Sequence, residues 1–510
     1  MATSSTVEAE RKFDAEASTP LPALDTIDGV ASVGAPKTHT LEAIYFDTRH
    51  LALAARGISL RRRTGGHDAG WHLKLPLSPG KRTEIHAPLG NADTVPDELM
   101  DRILAYTREG TVAAVATLTT ERTSYALYGP DGGRLADFVD DHVHAHVSVG
   151  EPRELEWREW EVELAAQDGA DDSMLDNLTG QLAEAGAKPS ERTSKLATAL
   201  GGSWPDAKGA AGTEYSNGKA AVAPVISFLQ TQMADLLFQD AHVRLGQDDS
   251  VHQMRSVIRR LRSVLHSYRT LFEPAAVEER ERELKSLAKT LGHYRDIEVL
   301  HARLRKYLEE LPEELVLGPL RDELDQRMAA RADTAMAAVR NHMTSPRYFR
   351  LLDELEAFIA DPPVTALGEK PARKTVAKLV NKAAKRLGKR HDAAVGAAVG
   401  PERDAAFHEV RKAAKKLRFA AAAAESTHGK RASKVEAAAH KLQSILGDHQ
   451  DSVMARAELL NLGSAPGIGS AAFTYGVLHA MERSVADATE TEYLRHSRKA
   501  LKLRLKKPTS

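Results

Sequence analysis

The 510-residue sequence predicts an α+β protein of two domains, an antiparallel β-barrel domain followed by an all-α domain, and three observations carry that prediction. Segments before Gly201 alternate apolar and charged residues with period two and are bounded by Gly, Pro or Asp, as half-buried strands are. From Pro224 onward the chain is rich in Ala, Leu, Lys, Arg and Glu at helical spacing. The charge changes sign at the same place. The whole chain carries −1, yet residues 1–200 carry −12 and residues 201–510 carry +11. The neutrality is a cancellation that points to different partners for the halves, most simply metal cations for the first and an anionic polymer for the second. Between them, residues 201–219 are rich in Gly, Ser, Asn and Ala, lack apolar periodicity and read as a linker.

The strand segments are VEAERKF, THTLEAIYFDT, GISLRRRT, GWHLKLPL, KRTEIHAPL, TTERTSYALYG, GRLADFVDDHVHAHV and WREWEVELA. Successive strand side chains point to opposite faces. Glu8, Glu10 and Lys12 therefore share a face, as do Arg61 and Arg63, then Arg82, Glu84 and His86, then Asp137 and Asp141, then Glu159, Glu161 and Glu163. One charged face on one strand is ordinarily a solvated exterior. Repeated over nearly every strand, it suits a barrel packed on the outside and polar within. Clustered carboxylates suit Mg²⁺ or Mn²⁺, and basic residues opposite them suit phosphate oxygens. His142, His144 and His146 alternate like a metal-ligand array but lie on the face opposite Asp137 and Asp141, so an exposed strand end is expected.

These residues resemble a known family. Glu8-Ala9-Glu10-Arg11-Lys12 matches the E-x-E-x-K signature of the CYTH family, the triphosphate tunnel metalloenzymes. Its order with Tyr45-Phe46-Asp47-Thr48, Gly57, Leu60-Arg61-Arg62-Arg63, Leu73-Lys74-Leu75, Arg82-x-Glu84, Arg122, Asp141, Glu159-x-Glu161-x-Glu163 and Ser194-Lys195 extends the similarity over residues 5–200. The resemblance implies an eight-stranded antiparallel tunnel that binds a linear triphosphate end-on and hydrolyses or rearranges it with a divalent metal. It implies Glu8, Glu10, Glu161 and Glu163 as metal ligands, and Lys12, Arg61, Arg63, Lys74, Arg82, Arg122 and Lys195 as the residues that grip phosphate. Glu84 and Asp141, with Lys12, would serve catalysis, the two carboxylates orienting water or completing the metal shell. Asp137 departs from the family, which often has glutamate there.

The basic half repeats itself. His252-Gln253-Met254-Arg255 through Arg262 aligns with His408-Glu409-Val410-Arg411 through Arg418 at an offset of 156 residues, and Leu291-Gly292 through Asp296 aligns with Leu446-Gly447 through Asp451 at 155. Two matches at nearly one offset indicate a tandem duplication of a helical unit. At about 100° per residue, His252, Arg255, Arg259 and Arg262 fall on one stripe and Met254, Ile258 and Leu261 on another. The second copy repeats this with His408, Arg411, Lys415 and Arg418, beside Lys412. Any one basic face is ordinarily a solvated one. Two copies that keep His and basic residues at matching positions would instead line a common groove for a long, repetitive anion.

This pattern resembles the conserved histidine α-helical domain, CHAD, over residues 220–505, the matching elements being the His-x-x-Arg helices that begin at His252 and His408 and the Leu-Gly turns that end at Asp296 and Asp451, and CHAD following CYTH is a familiar arrangement. The resemblance implies two similar four-helix bundles, polyphosphate bound by the basic groove, and association with polyphosphate granules. His293 is the weaker match, because its aligned partner is Asp448.

The expected function is therefore Mg²⁺- or Mn²⁺-dependent hydrolysis of inorganic triphosphate or polyphosphate ends. The alternatives are a polyphosphate-binding module with a weakly active or sensory tunnel, and a triphosphatase or cyclase acting on an organic triphosphate. Nucleic acid is the less favoured polyanion, since 5% aromatic content offers little platform for stacking bases. The absence of cysteine excludes disulfides, thiolate metal sites and cysteine nucleophiles. With no signal-like start and no apolar run of about 20 residues, a cytoplasmic protein without a membrane partner is expected.

Overall fold

The computed structural model describes residues 4–505 apart from 67, 79–80, 92–93, 165–178, 185–186, 191, 193, 206–214 and 216, with residues 4–9, 77–78 and 81–82 described in backbone only. The chain divides into two compact units, Met1–Ala210 and Ala211–Ser510.

The first unit is a closed antiparallel barrel. Its eight long strands are β1 (Ser4–Ala15), β3 (Lys37–Thr48), β4 (Ser59–Thr64), β5 (Gly70–Ser78), β6 (Lys81–Ala87), β7 (Val112–Tyr128), β8 (Arg134–Val147) and β9 (Arg153–Leu164). They pair in the order β1-β6-β5-β4-β3-β7-β8-β9, and β9 pairs back onto β1. Two two-residue strands, β2 (Ser32–Val33) and β10 (Lys188–Pro189), add to β7 and β1, so the sheet has ten strands rather than the expected eight.

Alternation along each strand decides which residues face out. Leu60, Trp71, Leu73 and Ile85 are buried against Leu99 and Ile103 of helix α1 (Asp97–Thr107). Phe13, Phe138, Trp160 and Val162 pack with Leu24 and Ile27. On the lumen side, Leu118, Val143 and Val147 share the strand faces of Arg122 and Asp141 and pack with Leu196 and Leu200 of helix α2 (Lys195–Leu200), filling one end of the barrel interior. Each such aliphatic side chain contributes about 1.5–3 kcal/mol on leaving water. Because the apolar faces are used on the outside, the charged faces are turned into the lumen. Asp47 is structural. Its Oδ1 accepts from the Thr48 and Leu53 amides at 2.6 and 3.0 Å and its Oδ2 from Ala54 at 2.9 Å, which pins the turn after β3.

The second unit is helical: α3 (Ala223–Arg244), α4 (Ser250–Tyr268), α5 (Pro274–Glu310), α6 (Leu320–Met343), α7 (Pro346–Ala360), α8 (Ala372–Gly396), α9 (Pro401–Ala422), α10 (Glu425–His428), α11 (Lys430–Gly463) and α12 (Ala471–Ala500). The neighbours α3-α4-α5-α6 recur as α8-α9-α11-α12, which makes two four-helix bundles from the duplicated sequence. The copies meet where α4 packs on α9, with Tyr268 Oη donating to the Ala420 carbonyl at 2.6 Å. The repeated Leu-Gly segments, expected as turns, lie inside the long helices α5 and α11. Glycine there costs about 1 kcal/mol relative to alanine and does not break a helix held by packing on both sides.

Candidate functional site

The lumen brings the sequence-predicted residues together in two groups. One centres on carboxylates from β8 and β9. Lys195, at the start of α2, reaches Glu159 Oε1 at 2.8 Å, Glu161 Oε1 at 2.7 Å and Asp141 Oδ2 at 2.7 Å. Arg122 of β7 forms a two-pronged pair with Asp141 at 2.8 and 2.7 Å and donates to Glu161 Oε2 at 2.7 Å. Lys12 of β1 pairs with Glu161 and lies 3.6 Å from Glu10. Burial opposes ionisation of Glu161, but Lys12, Lys195 and Arg122 outweigh it and hold its carboxyl well below the usual range. Asp141 is likewise depressed against its burial by Lys195 and Arg122.

Register supplies a second feature. Glu10 and Glu163 are direct cross-strand partners on β1 and β9. Burial raises the Glu163 carboxyl, Lys74 opposes this, and the charges of Glu161 and Glu10 raise it further. Like charges opposite one another across a strand pair are destabilising unless a cation intervenes. Ligand oxygens of Asp141, Glu159 and Glu161 also lie within 4.8 Å of one another. An all-oxygen carboxylate set of this kind fits a hard divalent cation. The Glu8 and Arg82 side chains fall outside the described residues.

The other group is a cationic wall on β4 and β5, with Glu84 of β6 against it. Arg61 lies 3.4 Å from Tyr45 Oη and 3.9 Å from Glu84, and Lys74 lies 3.7 Å from Glu84. Arg63 pairs with Asp68. Burial and the neighbouring Arg61 and Arg122 push Arg63 down to about 9. Asp137 pairs at the exposed rim with Arg134 at 2.6 Å. His142, His144 and His146 stand outside, half exposed, with His144 and His146 beside Glu154.

In the helical unit both basic stripes enter one electrostatic neighbourhood. Burial and then Arg255, Arg411 and Arg418 push Arg259 down to about 10. Burial and then Arg259, Arg411, Arg262 and Arg255 push Lys415 down to about 7. Residues of α4 and α9 therefore repel across the seam between the two bundles. His408 Nδ1 is 2.6 Å from Gln450 Oε1, Arg418 pairs with Glu436 at 2.9 Å, and burial lowers His252. Lys412 forms an exposed pair with Glu409.

The CYTH domain profile matches residues 7–190 and the CHAD domain profile residues 227–460. Two uncharacterized proteins of Mycobacterium tuberculosis are each 41% identical over 500 residues, covering 94% of this chain and 94% of their own. The chain belongs to the CYTH-CHAD family. Among solved structures, PptA from Streptomyces chartreusis aligns at 21% identity with a TM-score of 0.46, over 55% of this chain and 99% of its own. CYTH domains are metal-dependent enzymes of the triphosphatase and cyclase type, so the first unit is a triphosphate-tunnel-like module. Among the described residues no helix is long and apolar enough to cross a membrane.

Three lumen residues of the CYTH domain had no role assigned from sequence: Tyr45, His72 and Glu159. Glu159 was visible as the third member of the Glu159-x-Glu161-x-Glu163 alternation; it also accepts from Trp157 Nε1 at 2.6 Å. In the CHAD domain the repeated Leu-Gly segments gain a purpose. Arg255 stacks on Gly292, its guanidinium 3.5 Å from where a Cβ would lie, and reaches Asp296 at 3.4 Å. In the second copy Arg411 lies over Gly447, 3.8 Å from the Cβ position, and of the acids around it the charge of Asp451 acts on it most.

Proposed function

We propose that the tunnel hydrolyses the phosphoanhydride of inorganic triphosphate or of polyphosphate ends, with Mg²⁺ or Mn²⁺, and that the CHAD groove binds polyphosphate. The observation that carries this reading is the meeting, inside one closed barrel, of a wall of arginines and lysines with a set of buried carboxylates. Phosphoryl transfer needs its equatorial oxygens neutralised and a water aligned with the leaving group, and little else from the protein. Arg61, Arg63, Lys74, Arg82 and Arg122 would take the phosphate oxygens. Glu8, Glu10, Glu161 and Glu163 would hold the divalent cation, which supplies Lewis-acid polarisation of a phosphoryl oxygen. Lys12 and Lys195 are engaged by lumen carboxylates, and those ion pairs hold the cations in place for phosphate oxygens to take over. Glu84 and Asp141 would orient water. A polymer held on the covalently attached CHAD domain raises the local concentration of chain ends without altering the chemistry. The same reading makes the protein cytoplasmic and granule-associated.

Phosphate release from tripolyphosphate, long polyphosphate, ATP and thiamine triphosphate, each with Mg²⁺ and with Mn²⁺, tests the reading. Tripolyphosphate is expected to be the preferred substrate, with turnover largely lost in Glu8→Gln/Glu10→Gln. Equal release by that variant removes the metal assignment, and preference for an organic triphosphate replaces the substrate.

A further inference from the structure

The first helices of the two bundles, α3 and α8, hold equivalent places in the duplicated fold, yet their outer faces differ. Along α3 the outward row is Ser227, Thr231, Ala234 and Phe238, all exposed and none charged. Along α8 it is Lys374, Lys378, Lys382, Lys385 and Lys389, again all exposed. Their helical spacing keeps the five ammonium groups on one side, opposite the buried Val376, Val380 and Leu387. Arg386 and Arg390 flank the row, and Asp392 is the one acid of the helix. Solvation alone does not require such a face, since α3 is exposed at the equivalent place without a charge. Elsewhere in this unit exposed cations meet an acid one turn on: Arg305 with Glu309 at 3.5 Å, Lys306 with Glu310 at 3.7 Å and Arg483 with Asp487 at 3.5 Å. None of the five α8 lysine side chains has an ion pair or hydrogen bond among the described residues. Like charges one turn apart oppose a helix, so the row persists against its own repulsion.

The row joins the seam between the bundles. Glu409 of α9 holds Lys412 at 2.6 Å and lies 4.0 Å from Arg390 of α8. Lys416, one turn further along α9, has its Nζ 3.0 Å from His266 Nε2 of α4, and burial and then Arg386 lower its ammonium. Cationic surface therefore runs from α4 and α9 onto α8. At the helical rise, Arg255 to Arg262 and Arg411 to Arg418 each span about 10 Å of seam, whereas Lys374 to Arg390 spans about 24 Å. Lysines in single file offer point charges without a fixed fork, which suits a flexible chain of identical anions. No Phe, Tyr or Trp lies on α8 to stack a base, and no apolar side chain stands in the row to enter a lipid surface. We propose that the outer face of α8 is a second anion track, on which a polyphosphate chain longer than the seam continues, so that the CHAD domain favours long chains over short ones. The proposal rests on the polyphosphate reading of that domain.

Binding of long-chain polyphosphate and of linear tetraphosphate to the full-length chain separates track from seam, because at physiological salt screening confines each lysine's effect to about 8 Å. In Lys378→Gln/Lys382→Gln/Lys385→Gln/Lys389→Gln, long-chain affinity is expected to fall by at least about tenfold, and the slope of log affinity against log salt to shrink by roughly 0.7 for each lysine engaged, as for a single-stranded polyanion. Tetraphosphate affinity is expected to stay unchanged. Glutamine relieves the repulsion along the helix, so circular dichroism should show this variant melting no lower than the wild type. Lys382→Gln/Lys385→Gln should give about half the change in slope, and arginine at all four positions should keep the wild-type slope. Unchanged long-chain affinity and slope in the quadruple glutamine variant overturn the track. An equal loss for tetraphosphate overturns it too, as the mark of a diffuse field. So does a larger loss for duplex DNA or phosphatidylserine vesicles than for long-chain polyphosphate, which gives the face to another partner. A wild-type chain that binds neither polyphosphate length overturns the polyphosphate reading and the track with it, whereas long-chain binding indifferent to α8 leaves that reading standing and removes the track alone.

Discussion

Arg122 holds Asp141 by two parallel hydrogen bonds, Nε to Oδ1 at 2.8 Å and Nη2 to Oδ2 at 2.7 Å, with the Asp141 side chain fully buried. Fork-on-carboxylate geometry gives the barrel a fixed reference between β7 and β8, where the two residues are direct register partners. Removing one partner of a buried pair strands the other. Arg122→Ala should therefore destabilise the tunnel unit by roughly 3 kcal/mol, the low end for such a loss, because Lys195 remains on Asp141. All four tryptophans, at 71, 157, 160 and 204, lie in the first unit, so their fluorescence in urea reads this unit alone. The pH dependence has a fixed sign. Asp141 and Glu161 are depressed in the folded state, so their contribution is present above the ordinary carboxylate range and is lost as pH falls through the depressed values. Acid unfolding reported by the same tryptophans should begin at higher pH in Arg122→Ala.

Glu163 behaves in the opposite way. Its carboxyl is raised, chiefly by burial, with Glu161 and Glu10 adding repulsion, so its ionised form weakens the fold as pH rises through the raised value. Without metal, Glu163→Gln should stabilise the tunnel unit at neutral pH by about 0.5–1 kcal/mol, the scale of one relieved cross-strand repulsion. Saturating Mn²⁺ should stabilise the wild type more than this variant, since binding to the folded state alone raises stability. Equal Mn²⁺ gains in both would place the ion away from Glu163.

Much of this site was legible because alternation is a local property. Once Arg61 and Arg63, or Glu161 and Glu163, are read on one strand face, closure of the barrel decides that the face is the lumen. Strand order is not local. That β1 returns to β9, and sets Glu10 against Glu163, depends on pairings across roughly 150 residues that no window of sequence displays. His72 was missed for a related reason: a lone His between Trp71 and Leu73 reads as a core residue until Glu84 and the Asp68 carbonyl are seen on either side. The Leu-Gly segments were expected as turns on the CHAD resemblance, although glycine inside a packed helix costs only about 1 kcal/mol. In α5 and α11 it admits an arginine instead.

Lys415 offers a pH test of the CHAD groove. Burial and four neighbouring arginines bring its ammonium down to about 7, so a substantial fraction is neutral just above that pH. A polyanion between α4 and α9 would favour the charged form and take up a proton on binding. Long-chain polyphosphate affinity of the full chain should therefore fall as pH rises from about 7, and calorimetry in buffers of different ionisation enthalpy should show proton uptake. Lys415→Arg should remove the uptake while keeping the charge. Uptake unchanged in that variant would assign the proton to another group.

Gly292 separates helix propensity from groove geometry. An alanine Cβ would sit 3.5 Å from the Arg255 guanidinium, an ordinary contact, so Gly292→Ala should stabilise the helical unit by about 0.5–1 kcal/mol through propensity alone. A leucine must occupy the space the guanidinium fills. Gly292→Leu should displace Arg255 from Asp296 and weaken long-chain polyphosphate binding severalfold, with a smaller salt dependence as one phosphate contact is lost. Because Gly447 holds Arg411 in the same relationship, Gly447→Leu should cost a similar factor. If both arginines line one groove, the double variant should lose more than either alone. An effect confined to one copy would mean that only one bundle carries the polymer.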